Sequence, residues 1–368
     1  MKIKFFLLIL FTTYLSSQEQ SKNFIAPEGT ILIGADLHTH TVFSDGMVWP
    51  TIRTQEAQRE GFELIAITDH LEYQPKKQDI PNPDLNRSYQ IAKESVGGGD
   101  LIVLPGSEIT RNMPPGHFNA IFIKDANKLL FESDSIAGIY EANKQGAFVF
   151  WNHPHWTSNS QGRMDGIAKL DPVHEKLINE KLIHGIEVAN ELTFSEEAFE
   201  IALENDLTIL GTSDIHGISD WLFEIPEGGH RPLTYILSKD LNQNSIKKAL
   251  FKGNTFLWFE DLIAGKEEIL SSVIDSNLKV KSNGYSGETA LLEISVTNLS
   301  SLPLKLKYIG DFTFHQYSDF LEVPAKNTIT VQVKTVKRIE SLMMKFEILN
   351  AIIGRKKNLH VSYNLNIH

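Results

Sequence analysis

The sequence contains no cysteine among its 368 residues. This absence excludes disulfide scaffolds, thiol nucleophiles, lipid-anchored cysteines and thiolate-ligated zinc or iron–sulfur sites, so any metal must be held by His, Asp and Glu. No run of Lys and Arg stands out, and 35 basic against 46 acidic residues give a formal charge of −11. Because affinity for a phosphate backbone depends on clustered cations, the composition argues against a nucleic-acid platform.

Long apolar segments are also scarce, and the clearest one lies at the N-terminus. Lys2 and Lys4 precede an apolar run that begins at Phe5 and ends at Leu15, and a polar stretch follows Ser17. This pattern is typical of a secretory signal peptide, which we place at residues 1–17. The alternative is a membrane anchor, but a span needs about 20 apolar residues. The sequence predicts no membrane span in the mature chain and does not indicate an oligomeric state.

We therefore predict export to the periplasm or the extracellular space, with a mature chain that begins close to Gln18. Intact-mass measurement on native protein from those fractions should show the loss of the first 17 residues or so. Native soluble protein that retains Met1 would contradict the prediction.

Residues 30–262 alternate short apolar runs with amphipathic stretches, which predicts an α/β domain. The runs are Ile31–Leu37, Glu63–Thr68, Leu101–Leu104, Phe118–Ile123, Ala147–Trp151, Gly185–Ala189, Thr208–Gly211 and Leu233–Leu237. The helical candidates are a segment that begins at Pro50, then Ile136–Gln145, Val173–Ile183 and Glu196–Asn205. About seven repeats favour parallel strands closed into a barrel. An open doubly wound sheet is the alternative, but no Gly-rich phosphate loop follows the first strand.

Residues 270–368 read differently, as strand-like runs separated by polar turns with no convincing helix between them. This texture predicts a small all-β, sandwich-like domain of about 100 residues. Its only histidines are His315, His360 and His368, which lack ligand spacing. We assign this domain no chemistry.

The chemistry lies in histidines and acids at the ends of the predicted strands. This set has nine members: His38, His40, Asp45, His70, Glu108, His117, His153, Asp214 and His216. All except His117 follow the carboxyl end of a strand, where the active site of an α/β barrel lies. His38 and His40 are one residue apart on an extended segment and point to the same side. A single histidine at a strand end is usually structural, but six histidines joined by three acids indicate a metal site.

These motifs resemble those of the PHP-superfamily phosphoesterases. The matching segments are DLHTHTVFSDG (36–46), ITDH (67–70), PGSE (105–108), His117, NHP (152–154) and SDIHG (213–217). The resemblance spans the barrel region and implies a distorted (β/α)7 barrel that holds up to three divalent metals. It also implies the ligands of each ion: His38, His40, Glu108 and Asp214 for the first; Glu108, His117 and His153 for the second; Asp45, His70 and His216 for the third. Ligands of this type suit Mn, Fe or Zn.

The run over 48–79 is similar to a narrower group of secreted bacterial PHP phosphodiesterases, of the Sb-PDE type. The resemblance implies hydrolysis of a small organic phosphodiester, with a hydroxide on the first pair of ions attacking phosphorus. One alternative is a phosphomonoesterase of the histidinol-phosphatase or nucleotide-phosphatase type. Others are carboxyl or amide hydrolysis and, without catalysis, a binding module with a retained metal site.

Residues that contact a small-molecule phosphoester are harder to assign. We predict that His155 donates a hydrogen bond or a proton and that Arg163 grips phosphate oxygens. Arg111 is a further candidate for phosphate binding. Trp49, Trp156 and Trp221 are candidates for an apolar wall, and Asn152 and Asn190 for orienting groups. Asp69 reads as a supporting acid, and Lys76 and Lys77 read as solvated loop residues.

Overall fold

The computed structural model describes residues 23–131 and 133–367. The predicted signal peptide, residues 1–17, lies outside the described residues. In the part of the chain that the structure describes, no helix has the length and apolarity needed to cross a bilayer.

The strands of the described chain are β1 Ile31–Asp36, β2 Leu64–Ile67, β3 Ile102–Ile109, β4 Phe118–Ile121, β5 Phe148–Trp151, β6 Gly185–Asn190, β7 Thr193–Phe194, β8 Thr208–Thr212, β9 Leu233–Ser238, β10 Thr255–Phe259, β11 Leu262–Gly265, β12 Leu278–Tyr285, β13 Leu291–Asn298, β14 Leu304–Tyr308, β15 Thr313–Phe314, β16 Phe320–Val323, β17 Asn327–Lys334, β18 Ser341–Gly354 and β19 Lys357–Asn366. The α-helices are α1 Pro50–Arg59, α2 Arg87–Ser95, α3 Ala137–Lys144, α4 Pro172–Asn179, α5 Glu196–Glu204, α6 Ser219–Leu222, α7 Gln243–Phe251 and α8 Glu267–Asn277.

The N-terminal part is a distorted α/β barrel, which confirms the predicted fold class. Its strands follow the order β9–β1–β2–β3–β4–β5–β6, and β8 pairs with β6. The expectation that all of them run parallel is wrong for β4, which is antiparallel to β3 and β5, and for β9, which is antiparallel to β1. Only residues 110–117 separate β3 from β4. Because a parallel crossover needs a dozen residues or more, this short connection produces a hairpin.

The reversal of β4 explains the position of His117. His117 immediately precedes β4, so it lies at the face where the parallel strands end. Its carbonyl accepts a hydrogen bond from the backbone N–H of Asn152, which follows β5, at 3.0 Å. A histidine before a strand thus joins the histidines that follow other strands.

The barrel closes between β8 and the strands β9 and β10 through side chains. The hydroxyl of Thr234 donates to the carbonyl of Gly211 at 2.9 Å, and that of Thr255 donates to the carbonyl of Ile209 at 2.8 Å. Gly211 permits this approach because a Cβ there would lie 2.9 Å from the Cβ of Leu257. Beyond β8, the N–H of His40 donates to the carbonyl of Ile215 at 3.1 Å. Closure therefore brings the first and last metal motifs together.

The C-terminal part is a β-sandwich that is continuous with the barrel, and it confirms the predicted β domain. One sheet has the order β12–β13–β17–β15, while β16, β14, β18 and β19 extend the barrel sheet through the parallel pair β11–β18. Buried and half-buried residues alternate along β13 and β14. One apolar cluster includes Tyr235 and Trp258 of the barrel with Leu292 and Phe346 of the sandwich. The predicted start of the domain at residue 270 falls inside α8, a helix the sequence reading missed.

Candidate metal centre

All nine predicted ligands converge at the carboxyl-end face of the barrel. His38 and His40 extend β1, and Glu108 lies in β3. Their side chains are fully buried. His153 and Asp214 follow β5 and β8 with φ of 24° and 49°, in the left-handed region that costs a non-glycine residue about 1–3 kcal/mol. Such strain is typical of functional positions, since only the surrounding fold holds it in place.

The innermost group contains His38, His40, Glu108 and Asp214. The Nε2 atoms of the two histidines lie 3.0 Å apart, and they lie 3.1 and 3.0 Å from Oδ1 of Asp214. Both also lie 3.3 Å from Oε2 of Glu108. Ligands about 2.0–2.2 Å from one ion lie roughly 3.0–3.4 Å from each other. The ligand atoms of His38, His40 and Asp214 therefore have the mutual spacing of a coordination sphere, and Oε2 of Glu108 lies at a similar distance from both histidines.

Glu108 extends the centre toward His70, His117 and His153. Its Oε1 lies 2.8 Å from Nδ1 of His117 and 3.6 Å from Nε2 of His153, and its Oε2 lies 2.9 Å from Nδ1 of His70. Glu108 thus lies between two groups of histidines, as a bridging carboxylate would. His70 contacts Glu108 as well as the third group.

The third group surrounds Asp45. Its Oδ1 lies 3.2 Å from Nε2 of His216, 3.5 Å from Nε2 of His70 and 3.8 Å from Nδ1 of His40. Each of these four residues offers one ligand atom, and the four atoms all lie within 4.8 Å of one another.

The donor set fits divalent metal ions. Oδ1 of Asp45, Nε2 of His117 and Oδ1 of Asp214 are buried, yet none forms a hydrogen bond within the described chain. A buried polar atom without a partner is costly, and coordination to an ion would satisfy each of these three. Residues 23–131 and 133–367 thus supply three groups of ligand atoms that could hold a metal.

Electrostatics give the same indication. Burial favours neutral imidazoles, but the carboxylates of Glu108 and Asp45 outweigh it and raise the pKa of His70 to about 10. Asp45 and Asp214 likewise raise the pKa of His216 to about 9. The carboxylates thus create a negative potential. In the absence of a metal ion, it stabilises the protonated forms of His70 and His216. Metal binding must displace those protons, so metal affinity rises with pH.

Glu187, in the middle of β6, supports the centre and was missed by the sequence reading. Its Oε1 accepts from Nδ1 of His38 at 2.7 Å, and its Oε2 accepts from the N–H of His153 at 2.7 Å. Because Glu187 binds Nδ1 of His38, the other nitrogen, Nε2, faces the ligand group. Carboxylates commonly orient metal-binding histidines in this way. The available signal was an acid inside the apolar run GIEVAN (185–190).

Residues outside the ligand set hold the first and last motifs in register. Asp69 accepts from the N–H and hydroxyl of Thr41 at 2.7 Å each, which fits its predicted supporting role. Arg53 of α1 donates to the carbonyls of His40 and Gly217 at 2.8 and 2.6 Å. The prediction that Lys76 is a solvated loop residue is wrong. Its ammonium donates to the carbonyls of Asp45 and Gly46 at 2.8 and 2.6 Å. Lys77 is exposed.

A cavity of about 320 Å³ opens on the cluster. Its lining residues are Asp45, His70, Tyr73, Thr110, His117, His153, Trp156, Gln161, Asn190, Glu191, Asp214 and His216. None of these described residues is Lys or Arg. Trp156 forms part of the wall, as predicted. Tyr73, Gln161 and Glu191 also line the cavity but were not predicted, because they lie in loops with no fixed spacing from a motif.

The predicted substrate residues lie elsewhere. Arg163 pairs with Asp171 and donates to the carbonyl of Lys169, and Arg111 pairs with Glu72 at 2.9 Å. Neither arginine lines the cavity. Both guanidinium groups form ion pairs with acids that lie outside the cavity.

His155 also lies off the cavity, and its Nε2 lies 2.8 Å from the hydroxyl of Thr193. Burial, reinforced by the nearby His153, lowers the pKa of His155 to about 4, so this imidazole is neutral at pH 7. Trp49 packs on Phe43, with ring centroids 5.2 Å apart, and Trp221 is 78% exposed.

The two remaining candidates, Asn152 and Asn190, support acids of the centre. The amide of Asn152 donates to Oε1 of Glu108 at 2.9 Å. The amide of Asn190 donates to Oε2 of Glu187 at 3.0 Å. Both amides therefore orient carboxylates.

Comparison with known proteins identifies a relative of both parts of the chain. A two-domain protein of Bacteroides vulgatus, described as containing a predicted PHP-like metal-dependent phosphoesterase, has a crystal structure that superposes with a TM-score of 0.87. The two sequences are 37% identical, and the match covers 93% of this chain and 97% of that one. Residues 278–364 match the family model DUF5001, described as an Ig-like domain.

A shorter match occurs with an uncharacterized protein of Methanocaldococcus jannaschii, which is 39% identical over 82 residues. This match covers 22% of the chain and 34% of that protein, so the chain spans about a third of the length of this curated relative.

Proposed function

Because this chain belongs to the family of two-domain PHP-like metal-dependent phosphoesterases, we propose that it hydrolyses small organic phosphodiesters. The supporting observation is a cluster of nine His and acidic residues. Eight of them fall into three groups that could hold a metal ion, and the ninth, His153, lies 3.6 Å from Glu108. The cluster opens on a cavity whose described lining contains no Lys or Arg. The cluster supports binding of a phosphoester at this face. The charge of the cavity lining distinguishes between a diester and a monoester as the substrate.

We propose that the nine residues hold up to three divalent ions, Mn, Fe or Zn. His38, His40, Glu108 and Asp214 would hold the first, Glu108, His117 and His153 the second, and Asp45, His70 and His216 the third. When bound, such ions would lower the pKa of water so that a hydroxide nucleophile is available at neutral pH, and they would offset the charge of the phosphoryl oxygens. The chain itself fixes the ligands through Glu187, Asn152 and Arg53.

The cavity favours a diester over a monoester. A monoester at neutral pH is close to a dianion, and its recognition usually draws on arginine or lysine beside the metals. Arg111 and Arg163 are engaged with Glu72 and Asp171, outside the cavity. A diester has one negative charge and a second organic group, which the aromatic side chains of Trp156 and Tyr73 could contact. The wall therefore offers organic contacts but no additional cation.

We predict that kcat/KM for bis(4-nitrophenyl) phosphate exceeds that for 4-nitrophenyl phosphate by about tenfold or more after reconstitution with Mn. Tenfold corresponds to about 1.4 kcal/mol of transition-state stabilisation. Release of 4-nitrophenol by the full chain measures both reactions. Equal or faster hydrolysis of the monoester would favour the phosphomonoesterase alternative.

A further inference from the structure

One carboxylate at the cavity has no role in the metal centre. Glu191 is the first of two residues in the hairpin turn between β6 and β7, which pair through Asn190 and Thr193. Its backbone has φ 48°, a conformation that favours Gly, Asn or Asp. The conformation of the turn therefore does not explain why a glutamate occupies this position. Its side chain instead lines the cavity beside Asp214 and His216.

The carboxylate of Glu191 has no hydrogen bond or ion pair within residues 23–131 and 133–367. The surrounding protein, and after it the negative charge of Asp214, raise the pKa of Glu191 above its ordinary value. A carboxylate in this position is stabilised by a positive group. His216 and His153 partly offset this rise in pKa, but both belong to the predicted metal-ligand set. The described lining contains no Lys or Arg, so the carboxylate is open to a cationic group of a ligand.

Two aromatic rings line the same cavity. The ring of Trp156 lies 5.2 Å from that of His153 and 5.7 Å from that of His117, and Tyr73 lies 5.9 Å from His70, between centroids. Tyr73 and Trp156 are 50% and 41% exposed. Exposed aromatic faces attract organic cations within about 6 Å of the ring centroid. The rings thus border the metal centre where the organic group of a bound ester would lie.

We propose that the substrate is a zwitterionic phosphodiester, in which one alcohol carries an alkylammonium group that binds beside Glu191, Trp156 and Tyr73. This inference rests on the proposed phosphodiesterase function and adds the substrate class. The ester phosphate lies at the metal centre, and the cation lies at the mouth of the cavity. One unpaired acid and two aromatic rings, with no Lys or Arg in the described lining, form a site for such a group.

The test compares two diesters that differ in one atom. Glycerophosphocholine carries a quaternary ammonium, and its 3,3-dimethylbutyl analogue replaces that nitrogen with carbon. For the Mn-reconstituted full chain we expect kcat/KM to be about tenfold higher for the ammonium ester. Glu191→Gln should reduce that ratio to less than about twofold. The metal content of the variant, measured by mass spectrometry, should equal that of the wild type.

The matched control is Glu224→Gln. Glu224 is also exposed and also has a positive φ, 50°, but it does not line the cavity, so its substitution should leave the ratio unchanged. Equal rates on the two esters with wild-type enzyme, or an undiminished ratio in Glu191→Gln, would overturn the inference and leave the phosphodiesterase proposal intact. Absence of hydrolysis of either diester, with turnover of monoesters, would overturn both.

Discussion

Asp214→Asn is expected to lower kcat/KM for a phosphodiester by at least about a thousandfold, which corresponds to about 4 kcal/mol. Oδ1 of Asp214 lies within 3.1 Å of Nε2 of both His38 and His40, so this oxygen is shared by the innermost ligand group. The amide keeps the shape but loses the charge that binds a divalent cation. Initial rates and bound metal, measured on the same reconstituted sample, should fall together.

Asp165→Asn is the control for this result. Asp165 lies in the loop between β5 and α4, it is exposed, and its side chain accepts from the N–H of Ile167. An asparagine can accept the same bond, so activity and metal content should stay within about twofold of the wild type. Full hydrolase activity in metal-free protein or in Asp214→Asn would refute the metal-dependent mechanism.

The fold could be predicted from the sequence where hydrophobic runs and helix signals recur. The helix predicted from Glu196 is present, and the hydroxyl of Ser195, its N-cap, accepts from the N–H of Ala198 at 3.1 Å. The direction of β4 was not predictable from its apolar pattern, because periodicity reports burial and not strand orientation. The length of the connection before it was the usable signal.

The ligands could be located from the sequence because strand ends converge by the topology of the fold. The contacts of residues in the intervening loops could not be predicted in this way, since a loop can direct a side chain toward the cavity or toward a neighbouring loop. Arg163 is bound by Asp171 and Lys76 by the backbone of the motif at Asp45, and neither choice of partner is encoded in local spacing. Glu191, by contrast, reaches the cavity from a hairpin that the sequence reading did not identify.

Glu187 shows how a buried acid can act through a ligand. Four donors converge on its two oxygens. Nδ1 of His38 and the hydroxyl of Thr212 lie 2.7 Å from Oε1. The N–H of His153 and the amide of Asn190 lie 2.7 and 3.0 Å from Oε2. A carboxylate accepts all four bonds, whereas a glutamine offers one oxygen and would direct its own N–H groups at two of the donors.

Glu187→Gln is therefore expected to weaken binding of Mn by about 10- to 100-fold, because His38 and His153 lose the acceptor that orients them. Titration of the metal-free chain with Mn against a competing chelator measures the affinity, and circular dichroism establishes that the variant is folded. Glu200→Gln removes a comparable charge from an exposed ion pair with Arg355 and should leave the affinity unchanged. An unaltered Mn affinity in a folded Glu187→Gln variant would show that the ligands keep their orientation without this carboxylate.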